Sequence, residues 1–158
     1  MKEKFYPFRV SEDYLSYYFE SRSEERTIHK AIELVKIDEN TYNLALGDLG
    51  DDGSLNDSVV SNNGDMHKVL ATVSQIIVTF FGMYRDRRIY FTGSSPSRTR
   101  LYRLILSREQ ANWSEIFEIK GILKGEPFNY QSGVDYEAFV ITHKNRDYET
   151  KDEKGRYP

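Results

Sequence analysis

The chain has 158 residues, with 22 basic and 25 acidic side chains, so its net charge of −3 predicts no general attraction to nucleic acid. The absence of cysteine excludes disulfides, thiolate metal sites and cysteine nucleophiles. The charged first residues lead into no apolar signal core, and no apolar run approaches the roughly 20 residues that span a bilayer. We therefore expect a soluble, cytoplasmic protein.

The first half of the chain is predicted to consist of strands, because twelve tyrosines and nine phenylalanines favour a sheet. Residues 14–20 form the first candidate strand. Residues 26–37 fit both helical and strand spacing, but the turn cluster at 38–40 and the alternating segment 41–46 favour a β-hairpin. Residues 55–61 are a candidate further strand beside this hairpin.

A helix is predicted after the turn at 61–65. Asp65 stands at the N-cap position, where its side chain can accept from free backbone N–H groups and its charge suits the helix dipole. Apolar residues then recur every three or four positions and predict one buried stripe: Val69, Leu70, Val73, Ile76, Ile77, Phe80 and Phe81. We expect Met66 to join this core and Gly82 to mark the end of the helix.

Residues 88–92 are a short candidate strand that leads into a second helix. Ser95 is the expected cap of that helix, and Pro96 suits its first position, where a missing N–H is tolerated. The expected buried face of the helix consists of Leu101, Leu104 and Ile105.

Residues 115–123 and 135–143 are the last two candidate strands, and the turn signal at 125–127 breaks the chain between them. The tail 145–158 is charged and nearly free of aliphatic residues, so we expect it to be disordered. Residues 1–144 are expected to form a single α+β domain, a mostly antiparallel sheet of about six to seven strands with two main helices packed on it.

The charges are unevenly distributed along the chain. Between Ile37 and His67 there are seven carboxylates and no lysine or arginine, whereas between Arg85 and Arg108 there are seven arginines and one carboxylate. Such segregation can steer an anionic ligand toward the basic segment. In the alternative interpretation, the two segments pair with each other or lie solvated on separate faces.

The basic segment contains the strongest candidate site, the arginine turn, which consists of residues 92–103 at the start of the second helix. Serine hydroxyls, backbone N–H groups and arginines suit a phosphate, whereas a helix N-terminus by itself disfavours the positive charges of Arg98 and Arg100. The candidate ligand-binding residues are Ser94, Ser95, Ser97, Arg98, Arg100, Arg103 and Asp48. Alternatively, the arginines pair with Asp48, Asp51 or Asp52 of the acidic segment. The segment lacks a P-loop pattern, so nucleotide hydrolysis by that route is not expected.

No metal site and no cofactor are predicted. The aspartates around Asp48 do not have the spacing of an EF-hand, and the three histidines form no spaced ligand pair. Asp48 ends a candidate strand, so it is either a general base beside the arginine turn or a salt-bridge partner. The aromatic run 17–19 suits base stacking or packing within the sheet.

Five segments of the sequence form a recognisable pattern: YNLALGDL at 42–49, SNNGD at 61–65, KVLATV at 68–73, TGSSPSRTRLYR at 92–103 and YEAFV at 136–140. Together they resemble an uncharacterised bacterial family, a domain of unknown function of about this length. The resemblance spans residues 13–144 and implies a small stand-alone bacterial protein. It brings with it no activity, substrate or catalytic residue.

Three functions therefore compete. The first is a binding module for a phosphate-bearing ligand, a small molecule or nucleic acid, at the arginine turn. The second is a protein-interaction partner in a two-gene system, in which the segregated charges and the aromatic surface form the interface. The third is a small enzyme that uses Asp48 or His67 together with the arginine turn. The first is the hypothesis that the residues favour most.

Overall fold

The computed structural model of the protein describes residues 4–56, 63–92 and 96–144, with the backbone alone for 96–98. Most of the candidate strand 55–61 and the whole tail 145–158 lie outside the described residues. Within them, residues 9–143 hold nine strands and two helices, so the predicted α+β class is confirmed.

The elements follow the order that the sequence predicts, with two additions. The strands are β1 (Arg9–Val10), β2 (Ser16–Arg22), β3 (Thr27–Lys36), β4 (Thr41–Leu49), β5 (Leu55–Asn56), β6 (Arg88–Thr92), β7 (Phe117–Leu123), β8 (Glu126–Asn129) and β9 (Ala138–His143). The helices are α1 (Met66–Met83) and α2 (Pro96–Trp113). The additions are β1 and β8.

The nine described strands form one sheet in the order β1-β2-β3-β4-β6-β9-β7-β8, with β5 paired to β4. β4 and β6 run parallel, and the other paired strands are antiparallel. The expected six to seven strands were therefore too few. Because β4 and β6 are parallel, their carboxyl ends meet at the same edge of the sheet.

The strand β8 was missed because a glycine and a proline were interpreted as a break. Lys124 and Gly125 both have positive φ, 52° and 79°, so the chain reverses within two residues and pairs again with β7. Pro127 fits this strand because β8 is the last strand of the sheet and has a free edge.

Both helices pack on one face of the sheet. Along β2, the alternate residues Tyr17, Phe19 and Ser21 are buried on that face. Phe80 of α1 contacts Tyr42 of β4, with their ring centroids 5.8 Å apart. On the opposite face, none of the described residues belongs to a helix that packs against the strands, so within the described part of the chain that face of the sheet lies open.

The predicted stripe of α1 is confirmed, because all seven of its residues are buried. Met66 is instead 42% exposed, since it is the first helical residue and precedes Val69, where the buried stripe begins. By length and composition α1 would also suffice to cross a membrane, with a mean hydropathy of 1.3, but 56% of it is buried within the protein. This burial is what the core helix of a soluble domain shows.

The buried face of α2 is rotated relative to the expectation. Leu101 and Ile105 are buried as predicted, but Leu104 is 36% exposed, and Tyr102 is buried in its place. Tyr102 contacts Phe91 of β6, with ring centroids 5.2 Å apart, and its hydroxyl donates to the Leu44 carbonyl. A tyrosine that reaches a backbone acceptor can thus occupy the core.

Candidate functional site

The arginine turn lies where β6 passes into α2. The helix begins at Pro96, the position that the sequence predicts. Ser94 and Ser95 lie outside the described residues, and nothing is described of the side chains of Ser97 and Arg98. The expected cap by Ser95 and the four ligand roles of these residues therefore stay predictions.

Asp48 lies at the same edge of the sheet as the start of α2. It stands near the carboxyl end of β4, which runs parallel to β6, the strand that leads into α2. The Tyr102 hydroxyl donates to the Leu44 carbonyl over 3.4 Å, so α2 crosses the middle of β4. The fold thus places Asp48 and the start of α2 at the same edge of the sheet, whereas Arg88 of the basic segment lies at the opposite edge, beside Thr41.

Asp48 is bonded to a lysine of the neighbouring strand and not to an arginine of the basic segment. The Lys30 Nζ donates to Asp48 Oδ1 over 2.8 Å, and the two residues are directly opposite each other in β3 and β4. The Lys30 side chain is 2% exposed and the Asp48 side chain 19%. Among the described residues, Lys30 is the ion-pair partner that the structure gives to Asp48.

The two described arginine side chains of the candidate site differ from each other. Arg103 forms an ion pair with Asp135, whose side chain is 90% exposed. Arg100 is exposed and forms no hydrogen bond or ion pair with the described residues. At about 100° per residue, Arg100 points away from the buried arc around Leu101 and Tyr102.

Asp65 occupies the N-cap position of α1 but does not cap the helix with its side chain, so that part of the prediction is wrong. Its carboxylate accepts from the Tyr6 hydroxyl and, over 2.6 Å, from Ser21 Oγ. Burial first and then the Asp65 carboxylate raise the pKa of Tyr6. Asn63 Nδ2 also donates to the Ser21 carbonyl over 3.1 Å. The turn before α1 is thus tied to β2 and to the N-terminal segment.

A second candidate site was not found from the sequence: a cleft of about 290 Å³ beside β1, β2 and β3. Its lining combines aromatic, basic and acidic residues, among them Tyr6, Phe8, Arg9, Tyr18, Glu20, Arg22 and His29. The aromatic run 17–19 is divided between the faces of the sheet. Tyr17 and Phe19 are buried in the core, whereas Tyr18 points the other way, into the cleft.

The histidines do not converge on Asp48 in the described residues. His67 is exposed in the first turn of α1, and its carbonyl accepts from Arg108 of α2. His143 is buried against Phe117, with ring centroids 5.6 Å apart. Residues 4–56, 63–92 and 96–144 contain no group of three acidic, histidine or cysteine residues placed to hold a metal ion.

The comparisons with known proteins identify a family and no activity. The model of the family of unknown function DUF6934 matches residues 2–144, so the chain belongs to that family. The resemblance noted in the sequence to a domain of unknown function is thereby confirmed. Neither a curated protein nor a solved structure matches the chain.

Proposed function

We propose that this member of the DUF6934 family is a binding module for a phosphate-bearing ligand, a small molecule or nucleic acid, at the turn between β6 and α2. The residues that would hold the phosphate immediately precede or begin the helix: Ser94, Ser95, Ser97, Arg98 and Arg100. Arg103 and Asp48 would border the site, each with its own ion-pair partner in the absence of ligand.

One observation carries the proposal. Asp48, the foremost internal candidate for pairing with the arginines, is bonded to Lys30 instead. Arg100 is exposed and has no ion pair among the described residues, and it lies near the start of α2, the end of a helix at which the dipole disfavours a positive charge. A bound phosphate would supply the anion that is missing beside Arg100.

The chemistry of the helix start suits such a ligand. The first turn of a helix presents backbone N–H groups without intrahelical acceptors, and these groups bind phosphate readily. A guanidinium adds paired, charge-assisted hydrogen bonds to two phosphate oxygens. The ion pair of Arg103 with the exposed Asp135 is a surface contact of low energy, so Arg103 can turn toward a ligand at little cost.

The test is a titration of isotope-labelled protein, followed by amide chemical shifts, with inorganic phosphate, adenosine triphosphate and a short single-stranded RNA. We expect the amides of residues 97–100 to shift with at least one of them. Arg100→Ala should then weaken binding by roughly tenfold or more, the value of a charge-assisted hydrogen bond. Lys36→Ala is the matched control, because Lys36 is also an exposed cation. It lies at the carboxyl end of β3, the end farther from Asp48.

The three probes distinguish the sources of the phosphate. Binding of RNA without binding of the small molecules would assign the site to nucleic acid, and the converse to a small ligand. The proposal fails if none of the probes shifts residues 97–100. It also fails if Arg100→Ala and Lys36→Ala weaken binding equally, because the attraction would then follow net charge alone.

A protein-interaction partner in a two-gene system is the second candidate, and a specific observation favours it. Val35, near the end of β3, and Ile37, just beyond it, are 52% and 54% exposed, and exposed apolar residues this close together can form part of a protein interface. Co-purification with the product of a neighbouring gene, abolished by Val35→Glu, would support it. An enzyme that uses Asp48 as a base is the weaker alternative, since Lys30 already bonds its carboxylate.

A further inference from the structure

The cleft beside β1, β2 and β3 lies on the open face of the sheet. Tyr18, Glu20 and Arg22 are alternate residues of β2, so their side chains share the face opposite the buried Phe19. His29 of β3 stands directly opposite Glu20. The cleft is therefore built largely from side chains of paired strands, which hold their positions better than those of loops.

One wall of the cleft is an aromatic platform with a cation above it. Tyr18 is half-buried, and the Arg9 Cζ lies 5.6 Å from the centroid of its ring. Arg9 reaches this position because it is paired with Tyr18 across β1 and β2. A flat ring of a ligand can stack on such a tyrosine face and accept a further cation–π or stacking contact from the guanidinium.

The other wall of the cleft already contains a carboxylate, that of Glu20. The Glu20 carboxylate is bonded to the Arg22 guanidinium, and its second oxygen lies 3.4 Å from His29 Nδ1. The side chains of Arg22 and His29 are 66% and 59% exposed. Ion pairs this exposed contribute little stability, so exchanging Glu20 for the anionic group of a ligand costs little.

We propose that this cleft binds a mononucleotide-sized ligand, with its ring against Tyr18 and its phosphate at Arg22 and His29 in place of Glu20. The volume of about 290 Å³ lies at the lower end of small-molecule pockets, which suits a single base with one phosphate rather than a dinucleotide. The site shares no residue with the start of α2 and stands independently of the function proposed there.

The test uses adenosine 5′-monophosphate, adenosine and inorganic phosphate as probes, with amide shifts and calorimetry on the full chain. We expect the monophosphate to shift the amides of residues 6, 8, 9, 18–22 and 29. Tyr18→Ala should weaken its binding roughly fivefold or more, the value of a base–aromatic stack. Tyr18→Phe, which keeps the ring, should bind like the unaltered protein. If Tyr18→Ala disturbs the fold, Arg9→Ala tests the same wall, because Arg9 is exposed.

Two further variants separate a phosphate site from general charge. Glu20→Gln should strengthen binding of the monophosphate and leave adenosine unchanged, because it removes the competing anion. Arg22→Ala should weaken the monophosphate and again leave adenosine unchanged. Arg100→Ala should alter neither, so a failure of this site and a failure of the α2 site are distinguishable. Unshifted cleft residues at millimolar monophosphate, or Glu20→Gln and Arg22→Ala without effect, would overturn the proposal.

Discussion

The Lys30 ammonium and the Asp48 carboxylate face each other across β3 and β4, 2.8 Å apart, on the face of the sheet that carries both helices. The Lys30 side chain is 2% exposed, so it depends on its bonded neighbours in place of water. Asp48, the internal partner expected for the arginines, is therefore held by Lys30 within the sheet.

Breaking this pair should have unequal effects on stability. Asp48→Ala takes the bonded carboxylate away from the buried Lys30 ammonium and should lower the free energy of unfolding by about 2–3 kcal/mol, the value of a hydrogen bond between charged groups. Lys30→Met should cost less, because Asp48 is 19% exposed and can be hydrated. The double variant should resemble Lys30→Met alone, as urea denaturation would measure. Additive losses in the double variant would show that the two side chains do not interact.

Substitutions of Asp65 test whether its side chain stabilises the protein by capping α1 or by bonding to β2. Serine is as good an N-cap as aspartate, so a capping role predicts that Asp65→Ser is neutral. Because the carboxylate accepts from Tyr6 and from the buried Ser21, we expect Asp65→Ser and Asp65→Ala to lose similar stability, about 1–3 kcal/mol. Thermal unfolding measures this, with Asp52→Ala in an exposed turn as control. A stable Asp65→Ser variant would restore the capping interpretation.

Two core tyrosines should respond in opposite directions to loss of the hydroxyl. The Tyr17 hydroxyl is buried without a hydrogen-bond partner among the described residues, so Tyr17→Phe should raise the free energy of unfolding by about 1 kcal/mol. The Tyr6 hydroxyl bonds Asp65, so Tyr6→Phe should lower it by about 1–2 kcal/mol. Denaturant unfolding of both variants, side by side, checks the pair. A loss of stability in Tyr17→Phe would point to an acceptor outside the described residues.

The raised pKa values of Tyr6 and Tyr17 predict that the free energy of unfolding falls at alkaline pH. Burial raises the pKa of Tyr17, and burial followed by Asp65 raises that of Tyr6, both above the ordinary value near 10.0. The folded state therefore holds these protons more tightly than the unfolded chain. Their contribution to stability is constant below pH 10 and falls as the pH rises beyond it, by up to about 1.4 kcal/mol per unit and group.

A comparison of the unaltered protein with Tyr17→Phe isolates the contribution of one group to this loss. The advantage of Tyr17→Phe in free energy of unfolding should widen between pH 9 and pH 11, because the variant lacks the Tyr17 hydroxyl, whose pKa is raised in the folded state. A difference that does not change across this interval would mean that Tyr17 titrates alike in the folded and unfolded chains.

Gly121 of β7 is required by the ring that lies over it. A Cβ at this position would come within 2.3–2.5 Å of three ring carbons of Tyr136, whose hydroxyl is held by the Gln131 amide. Gly121→Ala should therefore cost about 1–3 kcal/mol by overpacking. Gly82→Ala is the control, since nothing lies within 4 Å of its Cβ in α1 and alanine favours a helix. Differential scanning calorimetry should show opposite shifts of the melting temperature.

Local patterns predicted the parts of the fold in which one face of a segment is buried throughout. The stripe of α1 and the β3–β4 hairpin are confirmed, and the register that begins with Lys36 opposite Tyr42 leads to Lys30 opposite Asp48. Spacing predicts the hairpin, whereas the register of the paired strands decides that Lys30 lies opposite Asp48. Leu104 was misplaced because hydrophobicity was weighed above the ability of Tyr102 to bond a backbone carbonyl.

The sequence by itself determined the α+β class, the two helices and the segment in which basic residues gather, because these depend on spacing over a few residues. The tertiary structure alone decided which polar and charged side chains contact each other. It bonds Asp65 to Tyr6 and Ser21, draws Arg9 over Tyr18, and places Lys30 against Asp48 rather than leaving that carboxylate to the arginines. Such contacts join residues distant in the chain, and their energies depend on strand pairing and burial, which short-range spacing does not specify.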